Sequence, residues 1–298
     1  MRALVTGGRG FVGHWLAEHL RSCGDEVVAI DQEVDVTDAD AVRRAVDDAA
    51  PEAVYHLAAL AHVGQSWTDP DTVFKVNALG TMHILDAART CTPAPRVLLV
   101  SSAEVYGVVR EDALPVTEEV ELAPVTPYAA SKVAAEYMGV QAFLAHGLPV
   151  VRVRPFNHVG PGQRADFVVP ALAERIVEAR RAGRPTLAVG NLSARRDLTD
   201  VRDVVRAYRL LVERGTPGEV YNVCAGEARS IRQLAERMLE LSGVDLRLEV
   251  DPALVRPVDV PVVLGDPAKL HGATGWHPEI DIDRTLADVL EQWERSAA

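Results

Sequence analysis

The stretch Met1-Arg2-Ala3-Leu4-Val5-Thr6-Gly7-Gly8-Arg9-Gly10-Phe11-Val12-Gly13 sets a short apolar run directly against a glycine-rich turn that opens a helical pattern. Glycines at 7, 10 and 13 permit a tight turn, close backbone approach to a pyrophosphate, and close helix–strand packing. A helix starting at Phe11 and Val12 then holds the anion with its free amides and its dipole. The next apolar run ends in Asp31, about 20 residues beyond the last glycine, where a carboxylate bonds an adenosine ribose diol and repels a 2′-phosphate. The pattern is that of a dinucleotide site that favours NAD(H), with NADP(H) as the alternative. Asp35-Val36 lies where the following loop passes the adenine.

Outward from this turn, apolar runs of strand length alternate with helical patterns. Strands are expected at Ala3–Val5, Glu26–Ile30, Ala53–Leu57, Val97–Ser101 and Val150–Arg154, and helices at Phe11–Ser22, Ala39–Ala50, Thr72–Thr90 and Pro127–His146. Several of the strands are continuous Val/Leu/Ile/Ala runs, the mark of a parallel sheet buried on both faces. The fold class is therefore α/β, a doubly wound parallel sheet of the Rossmann type, with ligands at the carboxyl ends of its strands. Beyond Phe156 the rhythm loosens. Helices are expected at Phe167–Ala182, Val201–Arg214, Ser230–Leu241 and Asp283–Arg295, and strands at Thr186–Val189, Glu219–Val223 and Leu246–Val250. The expected division is a dinucleotide-binding domain over 1–160 with returning segments near 195–226, and a smaller α/β substrate domain from 161–194 and 227–298.

Composition narrows the function. With 31 Lys+Arg against 43 Asp+Glu the formal net charge is −12, a poor footprint for nucleic acid. No apolar stretch approaches the roughly 18–20 residues of a membrane span. Cys23, Cys91 and Cys224 are scattered and suit neither a disulfide framework nor a zinc site, so no metal is expected. The chain opens in a strand with no room for a signal peptide, which points to the reducing cytoplasm. The basic residues are almost all arginine; the lysines are Lys75, Lys132 and Lys269.

Lys132 follows Tyr128 by four residues in Pro127-Tyr-Ala-Ala-Ser-Lys132, so both project from one helix face. A phenol with its usual pKa of about 10 is a poor base at neutral pH, and bringing it to about 7 takes about 4 kcal/mol. A close ammonium and a positive nicotinamide ring in a dry cleft supply that, leaving the tyrosine to move a proton while the nicotinamide moves a hydride. Upstream, Ser101-Ser102-Ala103-Glu104-Val105-Tyr106-Gly107 closes a strand, and the Ser102 hydroxyl there can bond the same substrate oxygen.

The Gly7/Gly10/Gly13 turn, Leu57-Ala58-Ala59, Asn77, Ser102 and the Tyr128/Lys132 pair together resemble the extended short-chain dehydrogenases/reductases of the nucleotide-sugar branch, in order from Met1 to Trp293. The resemblance implies a catalytic triad of Ser102, Tyr128 and Lys132. It places cofactor contacts also at Leu57, Ala58, Ala59, Asn77, Ser101, Pro155 and His158. It implies a second domain that binds a nucleoside diphosphate sugar, and a homodimer paired through Thr72–Thr90 and Pro127–His146. Phe156-Asn-His-Val-Gly-Pro-Gly-Gln163, Gly190-Asn-Leu192, Arg195-Arg-Asp197, Arg256-Pro-Val-Asp-Val-Pro261, Leu264–Leu270 and Thr274-Gly-Trp276 resemble the GDP-sugar members. Substrate contacts follow at Ser102, Glu104, Tyr128, Asn157, Val168, Gly190, Asn191, Arg196 and Arg256. The two arginines are suited to clamp a pyrophosphate.

The implied reaction is at carbon 4 of a GDP-sugar. Reduction of GDP-4-keto-6-deoxy-D-mannose to GDP-D-rhamnose fits the strings best; a GDP-sugar 4-epimerase and a GDP-mannose 4,6-dehydratase are the alternatives. Glu104 stands where a dehydratase keeps its carboxylate base, but Ala103 beside it lacks the acid or serine that accompanies that base. Asp31 suits the tightly held NAD of an epimerase or dehydratase as well as a reductase that accepts NADH. A regulator that had kept only the fold would be expected to lose Tyr128 or Lys132, and both are present.

Overall fold

The computed structural model describes residues 1–254 and 260–296. Its main sheet has six parallel strands in the order β2 (Glu26–Ile30), β1 (Arg2–Thr6), β3 (Ala53–His56), β4 (Arg96–Val100), β5 (Val150–Pro155) and β9 (Val220–Val223). Strand side chains alternate between faces, and each face has its own core. On one, Ala3, Val5, Leu98 and Val153 meet Leu16 and Leu20 of α1 (Phe11–Ser22) and Val204, Tyr208 and Leu211 of α7 (Val201–Arg214). On the other, Leu4, Val54, Val97 and Leu99 meet Val42 and Val46 of α2 (Ala39–Ala49) and Ile84 and Leu85 of α4 (Gly80–Thr90). The third helix on that face is α5 (Pro127–His146).

The helix expected at Thr72–Thr90 is longer and is not uniform. It begins as α3 (Pro70–Phe74), capped by the Asp69 carboxylate accepting from Thr72 N at 3.2 Å. It then passes through a π-helical turn, Lys75–Leu79, before α4. One wide turn adds a residue without changing the apolar pattern enough to show in the sequence, and such turns gather at functional sites.

A second layer surrounds its own core of Leu172, Ile176, Leu187, Leu234, Met238, Leu286 and Val289. It contains β6 (Asn157–Val159), α6 (Val168–Arg181), β7 (Thr186–Val189), β8 (Arg195–Asp200), β10 (Ala228–Ser230), α8 (Ile231–Ser242), β11 (Arg247–Val250), β12 (Val262–Val263) and α10 (Ile282–Ser296). The strand β8 is central, pairing antiparallel with β10 and parallel with β12 and β6, and β7 pairs with β11. No strand was expected at Arg195–Asp200 because its residues are mostly charged. Its buried Asp197 carboxylate is satisfied by backbone, accepting from Ala225 N at 2.8 Å, Gly226 N at 3.0 Å and Gly265 N at 3.2 Å. Burial still pushes that carboxyl up to about 6.

One stretch beyond residue 227 belongs with the main sheet rather than the cap. The helix α9 (Ala268–Thr274) carries Leu270 into the core beside β9 and α7, followed by Trp276, and both side chains are fully buried there. The Trp276 indole N–H donates to Asp203 O at 3.0 Å. Lys269, expected with the sugar-binding strings, donates instead to Glu219 Oε2 at 2.8 Å and lies 5.3 Å from the Tyr221 ring centre. It ties α9 to β9.

Candidate active site

The first groups at the carboxyl edge of the sheet form a cradle. Gly7 has φ +69°, a left-handed conformation costly for other residues, and a Cβ there would lie 3.0 Å from Ala58 N. Gly10 N donates back to Gly7 O at 3.1 Å, and the first bond inside α1 runs from His14 N to Gly10 O at 2.9 Å. The amides of Phe11, Val12 and Gly13 therefore lead the helix, with no acidic side chain in its first turn. Thr6 Oγ1 accepts from Leu57 N and Ala58 N at 3.2 and 3.1 Å, which draws the β3 loop against the turn. Asp31 directly follows β2 and accepts from Arg9 N at 2.8 Å and Gln32 N at 2.9 Å. Each of its oxygens keeps a lone pair for a ribose hydroxyl. Arg9 pairs with Glu33 at 3.1 Å beside it. The Asp35 carboxylate is turned onto Thr37 N and Oγ1, both at 2.8 Å. Val36, expected to pass the adenine, buries its side chain in the core against Gly80, so it presents only backbone to that loop. Ser101 Oγ, at the end of β4, is buried with no partner among the described residues. A glycine-lined cradle and a buried hydroxyl beside it fit a dinucleotide.

Opposite the cradle stands the start of α5. Thr126 Oγ1 accepts from Ala129 N at 3.0 Å and Pro127 occupies the first turn, so the position at which the helix begins is fixed. Tyr128 and Lys132 follow on one face, and both are buried. The Tyr128 hydroxyl bonds Ser102, whose own Oγ accepts from Glu104 N at 3.2 Å. Glu104 is exposed. Without the positive nicotinamide ring, the protein's own groups favour the phenol over the expected phenolate. Burial pushes Tyr128 up to about 12, the Ser102 bond opposes that, and the nearby Glu104 carboxylate adds to it. Desolvation of a buried anion outweighs the available compensation. Burial likewise pushes Lys132 down to about 8, with Glu136 pulling it back up.

Glu136 was not anticipated as part of this constellation. It is one turn beyond Lys132, fully buried, and accepts from Arg152 Nη1 at 3.2 Å, Arg154 Nε at 3.1 Å and Arg154 Nη2 at 2.5 Å. Arg154 Nη1 donates on to the Tyr106 hydroxyl at 2.9 Å, and that hydroxyl donates to Asn222 Oδ1 at 2.7 Å. The sequence signals were there: a third polar residue on the Tyr128/Lys132 stripe, and arginines inside an otherwise apolar strand.

The remaining expected contacts divide between the two layers. Pro155 ends β5, and His158 bonds Phe156 O through Nδ1 at 3.1 Å while its ring stacks over Phe11, with centroids 6.1 Å apart. Asn157 beside it is exposed. Asn77, from the π turn, accepts from Leu60 N at 2.8 Å. Thus the glycine turn, Asp31, Leu57–Ala59, Asn77, Ser101–Ser102, Tyr128, Lys132 and Pro155–His158 share one sheet edge. In the cap, Val168 opens α6. Gly190 packs so closely that a Cβ would lie 2.5 Å from Leu254 O. Asn191 Oδ1 accepts from Ser193 N at 3.0 Å. Arg196 donates to Val260 O at 2.8 Å. Arg256 lies outside the described residues. Among the described residues no helix is long and apolar enough to cross a membrane.

A buried phenol able to pass a proton, with an ammonium one turn away and a pyrophosphate cradle on the same edge, suits hydride chemistry at a carbon–oxygen bond. In fold and site the chain is an NAD(P)-dependent oxidoreductase. Residues 32–289 match the family described as GDP-mannose 4,6 dehydratase. The chain is 38% identical over 296 residues to GDP-6-deoxy-D-mannose reductase of Pseudomonas aeruginosa, across 98% of this chain and 97% of that one. It is 31% identical over 279 residues to GDP-6-deoxy-D-talose 4-dehydrogenase of Aggregatibacter actinomycetemcomitans, across 92% of each. The solved structure of RMD from Pseudomonas aeruginosa complexed with NADPH aligns with a TM-score of 0.91 at 36% identity, over 99% of this chain and 100% of that one. UDP-glucose 4-epimerase of Thermus thermophilus, solved with NAD, gives 0.87 at 32% identity over 100% of both chains. The chain belongs to the GDP-mannose 4,6-dehydratase family, among the extended short-chain dehydrogenases/reductases.

Proposed function

We propose that the protein reduces carbon 4 of GDP-4-keto-6-deoxy-D-mannose, giving GDP-D-rhamnose. The observation that carries this is the 38% identity, across 98% of this chain and 97% of the relative, to GDP-6-deoxy-D-mannose reductase of Pseudomonas aeruginosa. Ketone reduction needs a proton delivered to the carbonyl oxygen, and burial of Tyr128 favours the protonated phenol that would give it. An epimerase or dehydratase must instead begin by taking a proton from the substrate alcohol.

Ser102 and Tyr128 hold the keto oxygen between two hydroxyls, and Tyr128 gives up its proton there. Lys132 keeps a positive charge beneath the phenol and steadies the phenolate that forms. The glycine turn, the leading amides of α1 and Asp31 hold the dinucleotide, which supplies the hydride when bound. Asn157, Val168, Gly190 and Asn191 line the sugar-nucleotide side, with Arg196 offering its permanent charge to the diphosphate. Glu104 beside Tyr128 favours the 4,6-dehydratase as the second reading. The test offers the purified protein GDP-4-keto-6-deoxy-mannose and, separately, GDP-mannose, with reduced cofactor added. Cofactor oxidation with the keto sugar alone is expected. Conversion of GDP-mannose with no net change in cofactor absorbance would overturn the reductase assignment.

We assign NAD(H) as the preferred dinucleotide, because Asp31 and Glu33 put two carboxylates where a 2′-phosphate would lie and Arg9 neutralises one of them. Asp31→Ala is expected to raise kcat/KM for NADPH relative to NADH by about tenfold, the scale of about 1.4 kcal/mol. An unchanged ratio would remove Asp31 as the discriminator. Two copies are expected to pair through the α4/α5 face, where Met82, Tyr137 and Leu144 are exposed; a single-chain mass in light scattering would contradict this. The unbridged Cys23, Cys91 and Cys224 suit the cytoplasm, an assignment that cell fractionation tests.

A further inference from the structure

A continuous run of buried hydrogen bonds crosses beneath the cradle, and it has only one consistent direction. Thr6 Oγ1 already accepts from Leu57 N at 3.2 Å and Ala58 N at 3.1 Å. Both its lone pairs are engaged, so its one proton goes to His56 Nδ1, 2.8 Å away. Nδ1 is therefore an acceptor and the ring proton sits on Nε2, which donates to Thr81 Oγ1 at 2.9 Å. Thr81 in turn donates to Asn77 O at 2.6 Å, inside the π turn. The Asn77 side chain donates to Ser131 Oγ at 2.9 Å, and Ser131 donates to Tyr128 O at 2.7 Å. Thr6, His56, Thr81, Asn77 and Ser131 are all buried, so none of these bonds is readily replaced by water. Burial, together with the Lys132 charge, pushes His56 down to about 3. The ring is neutral throughout the working range.

Both ring nitrogens of the buried His56 are thereby satisfied, and the ring ties the strand that carries Thr6 to the π turn. We propose that His56, locked as its Nε2–H tautomer between Thr6 and Thr81, is a positioning residue. It holds the π turn that carries Asn77 and, through Asn77 and Ser131, the first turn of α5. Tyr128 is thereby kept in register with the turn that follows Thr6. The proposal rests on reading Tyr128 as the proton donor.

Two measurements test it. Nitrogen-15 spectra of the whole protein are expected to show His56 neutral with its proton on Nε2 and no titration between about pH 6 and 8, as follows from its lowered pKa. An Nδ1–H ring or a titrating one would overturn the proposal. Kinetics then compare Thr81→Val, which keeps the shape and loses the hydroxyl, with Thr81→Ser, which keeps the hydroxyl. Thr81→Val is expected to lose on the order of 10- to 100-fold in kcat, the cost of misplacing a reacting group, with both KM values within about twofold. Thr81→Ser is expected to stay near the native rate. Ser131→Ala added to Thr81→Val should cost no more than the worse single change, since the chain is already broken. Equal losses in Thr81→Val and Thr81→Ser, a native kcat in Thr81→Val, or multiplicative losses in the double variant would overturn it. A native rate in Tyr128→Phe refutes the proton-donor reading instead, whereas a native Thr81→Val beside an inactive Tyr128→Phe refutes only the positioning role.

Discussion

Tyr128→Phe is expected to lower kcat by about 10²- to 10⁴-fold, the usual worth of a positioned proton donor. The dinucleotide dissociation constant should stay within a few fold of native. The substitution removes one oxygen and keeps the ring that packs at the start of α5, so the helix and its Thr126 cap remain. The cradle at Gly7, Gly10 and Gly13 stands on a different element and has no bond to Tyr128 among those described. Ser102 loses its phenol partner but keeps the bond from Glu104 N at 3.2 Å. The loss therefore belongs to the chemical step. Single-turnover rates with the keto sugar measure it, and a variant within tenfold of native would show that the proton comes from elsewhere.

Glu136→Ala is expected to cost about 3–5 kcal/mol of stability, the usual penalty for removing one partner of a buried ion pair. Its carboxylate is fully buried and takes bonds from Arg152 and Arg154. Its charge serves chiefly Arg154, held up by a two-nitrogen grip; Arg152 is lowered, because burial dominates there. Without it, two guanidinium groups remain beside an apolar sheet with only carbonyl and hydroxyl acceptors. Thermal melts should shift downward by on the order of 10 °C. Glu136→Gln, which still accepts hydrogen bonds, should fall between the two. A melting temperature for Glu136→Ala within about 2 °C of native would mean that Arg154 finds another anion.

The sheet was readable from the sequence because burial on both faces leaves long apolar runs, and because punctuation marks the helix ends. Phe11–Ser22 and Pro127–His146 were expected with the bounds observed, the first set by the glycine turn and the second by Pro127 and Gly147. The cap strands were not readable. Arg195–Asp200 looks like a charged loop until Asp197 meets amides from residues 225, 226 and 265, partners far off in sequence. At the site, the spacing of Tyr128 and Lys132 was visible, whereas the sign of the change that the protein's own groups impose on the phenol was not. That sign depends on how much water the folded cleft excludes. Lysine scarcity drew attention to Lys132, which is buried, and set Lys269 with the sugar-binding strings, whereas its partner Glu219 could be found only in three dimensions.

The seat of β9 beside β5, with Trp276 in the adjoining core, bears on how the protein comes into being. Strands β1 to β5 leave the ribosome first together with α1, but the part of their shared face that α7 and α9 cover is not complete until about residue 276 has been made. At roughly 5–20 residues per second, the growing chain spends several seconds or more exposing Leu98, Val151 and Val153 to the cell. The core of the cofactor half is thus completed by residues from the last third of the chain.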